Sequence, residues 1–289
     1  MLERLKYIND SKITSILKDS NVIKFRTKDK IKKLIEIYVK SNRNEVVYKL
    51  ITNIDLLSNR INDEQIALIT KFVHSVDIIT YDTREILRNR VKLYMGEDKY
   101  NKYIENKKNE IFKIITKTSI LKLKTLEEQT ELIDWYVKTK DLSLHNARLY
   151  YLENFSYDII TNENILNNFN HLEHISFLNH YSFLPNNELS KKMKELLDNT
   201  NLFKNRTFME IHTMLSLCHN EDFEDIYPLI IDDTLLNKSY EEQIKLINEL
   251  NSLESSSNRK KINHLKDMKE MLEPFKTDIK METPNRYKK

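Results

Sequence analysis

The sequence predicts an all-α fold built as an α-solenoid of stacked helical hairpins, and three observations carry that expectation. One glycine and four prolines stand among 289 residues. Glycine supplies the positive-φ turns and close backbone approaches on which phosphate-binding loops and most β-rich folds depend, so those folds are disfavoured. A stretch beginning at Ile115, ITKTSILKLKTLEEQTELIDWYV, recurs along the chain. Four of its copies carry a helix-capping residue followed three positions later by Glu or Gln, ahead of an apolar stripe at helical spacing. With 40% hydrophobic and 31% charged residues, the chain can bury a core and stay soluble.

The first copy, ILKDSNVIKFRTKDKIKKLIEI from Ile16, is faint and places Lys30 where three of the others have glutamine. Thr27 is positioned to cap a basic helix whose apolar stripe is Ile31, Leu34, Ile35 and Val39. A helix from Glu45 to about Asn53 then leads into the second copy, ITNIDLLSNRINDEQIALITKFV from Ile51. There Asn62 and Gln65 have capping-box spacing, with Ile66, Ile69 and Val73 behind them. In the third copy the box is Thr125 with Glu128, Gln129 follows it, and Trp135 is expected to pack in the core or between repeats. The fourth copy, from Ile160, has Asn170 with Glu173 and puts His174 in the glutamine position. The last, from Leu229, has Ser239 with Glu242, then Gln243.

Each unit therefore reads as a helix, a short polar turn and a capped amphipathic helix. The equivalent positions Ile16, Ile51, Ile115, Ile160 and Leu229 lie 35, 64, 45 and 69 residues apart. The two long gaps are about twice a 35-residue unit and are expected to hold degenerate helix pairs, over 82–108 and 184–223, giving roughly six or seven hairpins. Arg259 to Phe275 reads as one more amphipathic helix with Ile262, Leu265, Met268 and Leu272 as its stripe. Residues 1–275 are thus expected to form one continuous helical-repeat domain, and 276–289 a polar tail.

Charge is unevenly spread. Residues 1–150 hold 30 Lys or Arg against 21 Asp or Glu, residues 151–258 hold 7 against 18, and residues 259–289 hold 10 against 5. Such polarity can orient an anionic partner or pair two copies head to tail, although drifting composition on solvated helix faces produces it too. The single cysteine, Cys218, lies in an apolar run and is read as a buried structural thiol. No stretch approaches the roughly 18 apolar residues of a membrane helix, so a cytoplasmic protein is expected.

Residues with chemical potential are few. His171, Glu173, His174 and His180 form the densest histidine group, but His174 fills the glutamine position and His171 the capping turn, so substitution on a solvated face accounts for both. His212, Cys218, His219, Glu221 and Asp222 match no metal-ligand spacing. Paired carboxylates such as Glu127 and Glu128 sit in first turns, where they offset the helix dipole. No catalytic residue, metal or cofactor is expected. The strongest binding-surface candidates are Arg84, Arg88, Arg90, Lys92, Lys99, Lys102, Lys107 and Lys108, interleaved with Tyr94, Tyr100 and Tyr103; cations beside aromatic rings suit phosphates and stacked bases.

The strings LLSNRINDEQIALI and LLNKSYEEQIKLI resemble a short asparagine- and leucine-rich helical repeat, of the form LNNRxxEEQIxLI, found in low-GC Gram-positive bacteria and their phages. The resemblance covers about half of the chain and departs at the glutamine in the first and fourth copies. It implies an α-helical repeat fold and no catalytic residues. The function expected is therefore a protein-binding helical-repeat scaffold, such as a phage- or plasmid-encoded regulator or inhibitor of a host protein or defence complex. The alternatives are a nucleic-acid-binding repeat protein that uses the basic first half, and an enzyme with an unrecognised site.

Overall fold

The computed structural model describes residues 10–42, 44–80, 96–145, 153–184, 187–217 and 223–255, and they are helical almost throughout. The chain divides into two compact units, Met1–Tyr150 and Tyr151–Lys289. Among the described residues, each contains three modules of the same kind.

Every module has three helices rather than two. Where the sequence suggests a polar turn, a side-chain cap starts a short extra helix. Asn53 leaves the first helix of its module in an extended conformation (φ −69°, ψ 117°), and its side chain accepts the Leu56 N–H, so a new six-residue helix begins. Asp19, Asn162, Asn199 and Asp232 do the same in their modules. Lys117 repeats the backbone geometry without a side-chain cap. Asx side chains favour this role because their oxygen reaches the unsatisfied amides of a first turn.

In the first unit the modules are α1 (Ser11–Lys18), α2 (Ser20–Phe25) and α3 (Lys28–Lys40); α4 (Glu45–Ile51), α5 (Ile54–Asn59) and α6 (Asn62–Thr80); and α7 (Glu97–Thr116), α8 (Thr118–Leu123) and α9 (Leu126–His145). In the second unit they are α10 (Ser156–Thr161), α11 (Glu163–Asn168) and α12 (His171–Tyr181); α13 (Asn187–Asp198), α14 (Thr200–Asn205) and α15 (Phe208–Ser216); and α16 (Phe223–Ile231), α17 (Asp233–Leu236) and α18 (Tyr240–Ser255). A two-residue antiparallel bridge, Glu153–Asn154 with Phe183–Leu184, ties the start of module 4 to its end.

The expected degenerate pair in the second long gap is therefore a full module, 187–216, with its own capping box of Thr207 and Glu210. In the first gap, 81–95 lie outside the described residues, and Glu97–Thr116 is the first helix of the third module. The chain's single glycine, Gly96, caps that helix with φ +84°, a backbone conformation that L side chains rarely adopt. Asn42 takes the left-handed conformation (φ 56°) just past α3. The segments 256–275 and 276–289 lie outside the described residues.

The core is a repeated stripe. Counting from the N-cap of each module's third helix, positions +7 and +8 are Leu34 and Ile35, Leu68 and Ile69, Leu132 and Ile133, Phe177 and Leu178, Met214 and Leu215, Leu246 and Ile247, all buried. Position +11 adds Tyr38, Phe72, Tyr136, Tyr181 and Leu250. Burying each such side chain contributes about 1.5–3 kcal/mol, so these rows hold each module together. In α6 the buried apolar stripe thus runs through Leu68, Ile69, Phe72 and Ile79, whereas the expected Ile66 and Val73 are half-exposed. In α9 Tyr136 takes the buried position and Trp135 is half-exposed.

The short middle helices pack in succession, α2 with α5 and α5 with α8 in the first unit, α11 with α14 and α14 with α17 in the second. Of the expected capping boxes, those of Thr125, Asn170 and Ser239 form. The one assigned to Asn62 and Gln65 does not. Ile61 is the residue before α6, its N–H donates to Glu64, and Gln65 faces inward. Thr27 is the N-cap of α3 but makes no side-chain cap bond.

Candidate protein-interaction surface

The recurring glutamine is buried, not a solvated first-turn residue. Gln65, Gln129 and Gln243 are each 0% exposed. In each, Nε2 donates to the last carbonyls of its module's own first helix: Leu50 and Ile51 for Gln65, Ile114 and Ile115 for Gln129, Leu229 and Ile230 for Gln243. Those carbonyls have no intrahelical partner. His174 is also 0% exposed, and its Nε2 lies 3.1 Å from Ile159 O in the same role. This overturns its assignment to a solvated face. The structural alignment of caps puts Ile31, not Lys30, at the equivalent place in module 1.

The glutamine's oxygen receives a cation from the preceding module. Arg26 Nε donates to Gln65 Oε1 at 2.7 Å, Arg60 Nη2 to Gln129 Oε1 at 3.0 Å, and Arg206 Nε to Gln243 Oε1 at 3.0 Å. The same guanidinium groups cap the next module's short helix, Arg26 at Arg60 O, Arg60 at Leu121 O and Lys124 O, and Arg206 at Leu235 O and Lys238 O. A planar fork of donors suits several carbonyls at the negative end of a helix. Burial lowers the pKa of all three arginines, partly opposed at Arg60 by Glu64 and Glu127 and at Arg206 by Glu210 and others. An arginine remains charged under such a shift. Lys124 stands at the arginine position of module 3, and burial lowers its pKa against the pull of Glu128. Module 4 has Phe169 at this position, and its ring packs on Phe203 and Phe208 of module 5 at 5.4 and 5.2 Å. Module 5 correspondingly carries buried Ile211 in place of glutamine.

These residues are consumed by stacking, which leaves the exposed positions that differ between modules as the candidate binding surface. One such row is the second residue after each N-cap: Asp29, Asp63, Glu127, Leu172, Met209 and Glu241, all exposed. Carboxylates there offset the helix dipole. Leu172 and Met209 do not, yet they are 79% and 64% exposed. They occupy the first turns of neighbouring helices α12 and α15, beside the half-exposed Phe208 that meets Phe169.

Near the far end of α12 the His180 ring lies 4.7 Å from that of His212, which also contacts Tyr181 and Phe208. Burial, and secondarily His180, lowers the His212 pKa. One histidine from each sequence cluster is thus brought together. Among the described residues, no three His, Cys, Asp or Glu side chains gather as metal ligands. Cys218, His219, Glu221 and Asp222 lie outside the described residues.

The basic candidates are dispersed in role. Arg84, Arg88, Arg90 and Lys92 lie outside the described residues. Lys99 and Lys102 are exposed on α7. Lys107 is tied to Glu110 at 2.9 Å and lies over the Tyr136 ring at 4.7 Å, while Lys108 pairs with Glu105. Tyr136 in turn donates to Glu110, so this group joins α7 to α9. Among the described residues, no helix is long and apolar enough to cross a membrane. Comparison of the chain with protein-family models, with curated proteins and with solved structures finds no match.

Proposed function

We propose that the modules form an α-solenoid that binds a protein partner, with Leu172, Met209 and Phe208 at the centre of the contact. The observation that carries this reading is the exposed row at helix N-termini, where four modules keep a carboxylate and two adjacent ones carry large apolar side chains. Single exposed apolar residues are ordinary. Two in neighbouring modules beside a half-exposed aromatic make a patch of the kind that anchors protein contacts. Such a chain acts by occupancy, as a regulator or inhibitor of its partner does. Nucleic acid is the weaker reading because Lys107 and Lys108 are engaged with carboxylates of their own helix.

The test is capture from a lysate of the producing organism with the full chain and with Leu172→Ser/Met209→Ser, after checking that both melt at the same temperature. Proteins held by the parent and lost by the variant support the proposal. Equal retention by both, or retention of nucleic acid that vanishes between roughly 50 and 200 mM salt, overturns it.

A further inference from the structure

The six modules provide an internal control for exposure. Two residues before each middle-helix cap stand Leu17, Ile51, Ile115, Ile160, Leu197 and Ile230. Four residues after it stand Ile23, Leu57, Leu121, Leu166, Phe203 and Leu236. In modules 2 to 6 all ten side chains are at most 4% exposed. In module 1, Leu17 is 46% and Ile23 is 53% exposed. In modules 2, 3, 5 and 6 the preceding module's middle helix packs against the one bearing this second residue. Leu17 and Ile23 are therefore stacking positions left open.

Two further observations define what fits there. Lys18, Lys24 and Lys28, beside these residues in the chain, are all exposed, and residues 10–42 hold nine Lys or Arg against four Asp or Glu. A carboxylate-bearing surface complements that rim. The position equivalent to the recurring glutamine is Ile31 in module 1, and its side chain cannot accept an arginine. At the one other module with isoleucine there, the incoming residue is Phe169. A basic module is thus refused, and an apolar side chain is accepted.

From this we infer that the front of module 1 is a docking surface for an acidic amphipathic helix of another protein, its apolar stripe on Leu17 and Ile23 and its carboxylates toward Lys18, Lys24 and Lys28. A second copy stacked by its last module is disfavoured, because module 6 has Lys238 before its third helix, a cation facing the basic rim of module 1, and the apolar pair of its middle helix, Leu235 and Leu236, is already buried. The inference rests on the protein-binding reading but concerns a separate surface, so the contact at Leu172 and Met209 and the one at Leu17 and Ile23 are tested apart.

The experiment places a photo-crosslinking residue at position 23 of the full chain in the producing cells and maps the crosslinked peptide by mass spectrometry. The expected peptide comes from another protein, has apolar residues at helical spacing flanked by Asp or Glu, and loses at least half its yield with Leu17→Ser or when 500 mM salt is present during crosslinking in lysate. Leu17→Ser should leave the melting temperature unchanged, since the side chain is exposed. A crosslink to residues 1–9 or 256–289 of the same chain, to a second copy or to a basic segment overturns the inference. So does the absence of any crosslink while position 172, labelled in the same way, yields one.

Discussion

Arg60 and Gln129, 69 residues apart, meet at 3.0 Å in the buried joint between modules 2 and 3. The guanidinium also holds Leu121 O and Lys124 O, and the amide holds Ile114 O and Ile115 O. One pair therefore satisfies the ends of two helices and fixes the register of neighbouring modules.

Removing either partner leaves the other buried and unsatisfied. Arg60→Met and Gln129→Leu are each expected to lower unfolding free energy by about 2–4 kcal/mol, in line with lost charge-assisted hydrogen bonds and orphaned polar groups. The double variant should cost less than the sum by about 1–3 kcal/mol, because it removes donor and acceptor together. Modules 4 and 5 already carry such an exchange in Phe169 and Ile211. Urea unfolding of the four proteins gives the cycle, and strict additivity would show that the pair does not act as a unit.

His174 fills the glutamine's place with one ring nitrogen near Ile159 O. His174→Gln is therefore expected to change stability by less than about 1 kcal/mol, whereas His174→Leu strands a helix-end carbonyl and should cost about 1–3 kcal/mol. Equal losses in the two variants, measured by thermal unfolding, would remove the carbonyl from the account.

The repeat, its helical class and its third-helix starts were legible because all three depend on residues within one turn of each other. The spacing of Thr125 and Glu128, or of Ser239 and Glu242, is a local signal. The burial of Gln129 was not legible, since a polar residue near a helix start ordinarily faces water and its partner Arg60 lies in another module. A signal did exist. Arg60 and Lys124 each stand five residues before their module's own glutamine, and Arg26 and Arg206 recur at the same point before Ile31 and Ile211. The middle helices were hidden for a different reason: six residues are too short to show periodicity, and Asn53 or Asn199 reads equally well as a turn. Leu172 and Met209 carry no signal in the sequence because exposure is a property of the assembled modules.

Thr207 accepts the Glu210 N–H, while Glu210 accepts the Thr207 N–H at 2.7 Å. This box starts α15 in a module that the sequence suggests only as a degenerate helix pair. Thr207→Ala should lower stability by about 1 kcal/mol, with Thr207→Ser close to the parent, as read from the urea midpoint. A loss with serine as large as with alanine would point away from the cap.

His212 is expected to make the fold sensitive to acid. Its folded-state pKa lies below the ordinary value of 6.5, first because burial disfavours the imidazolium and second because His180 repels it. Between the folded pKa and 6.5 the unfolded chain binds more protons than the folded one, so stability rises with pH across that window. The penalty is absent well above pH 6.5 and grows as pH falls through 6.5 towards the folded pKa. The urea midpoint of the parent is therefore expected to drop more between pH 7.5 and pH 5.5 than that of His212→Gln, which keeps a polar side chain without the titration. His180→Gln should lie between the two, because it removes only the secondary cause. If the parent and His212→Gln lose the same amount over that interval, the acid sensitivity resides elsewhere in the fold.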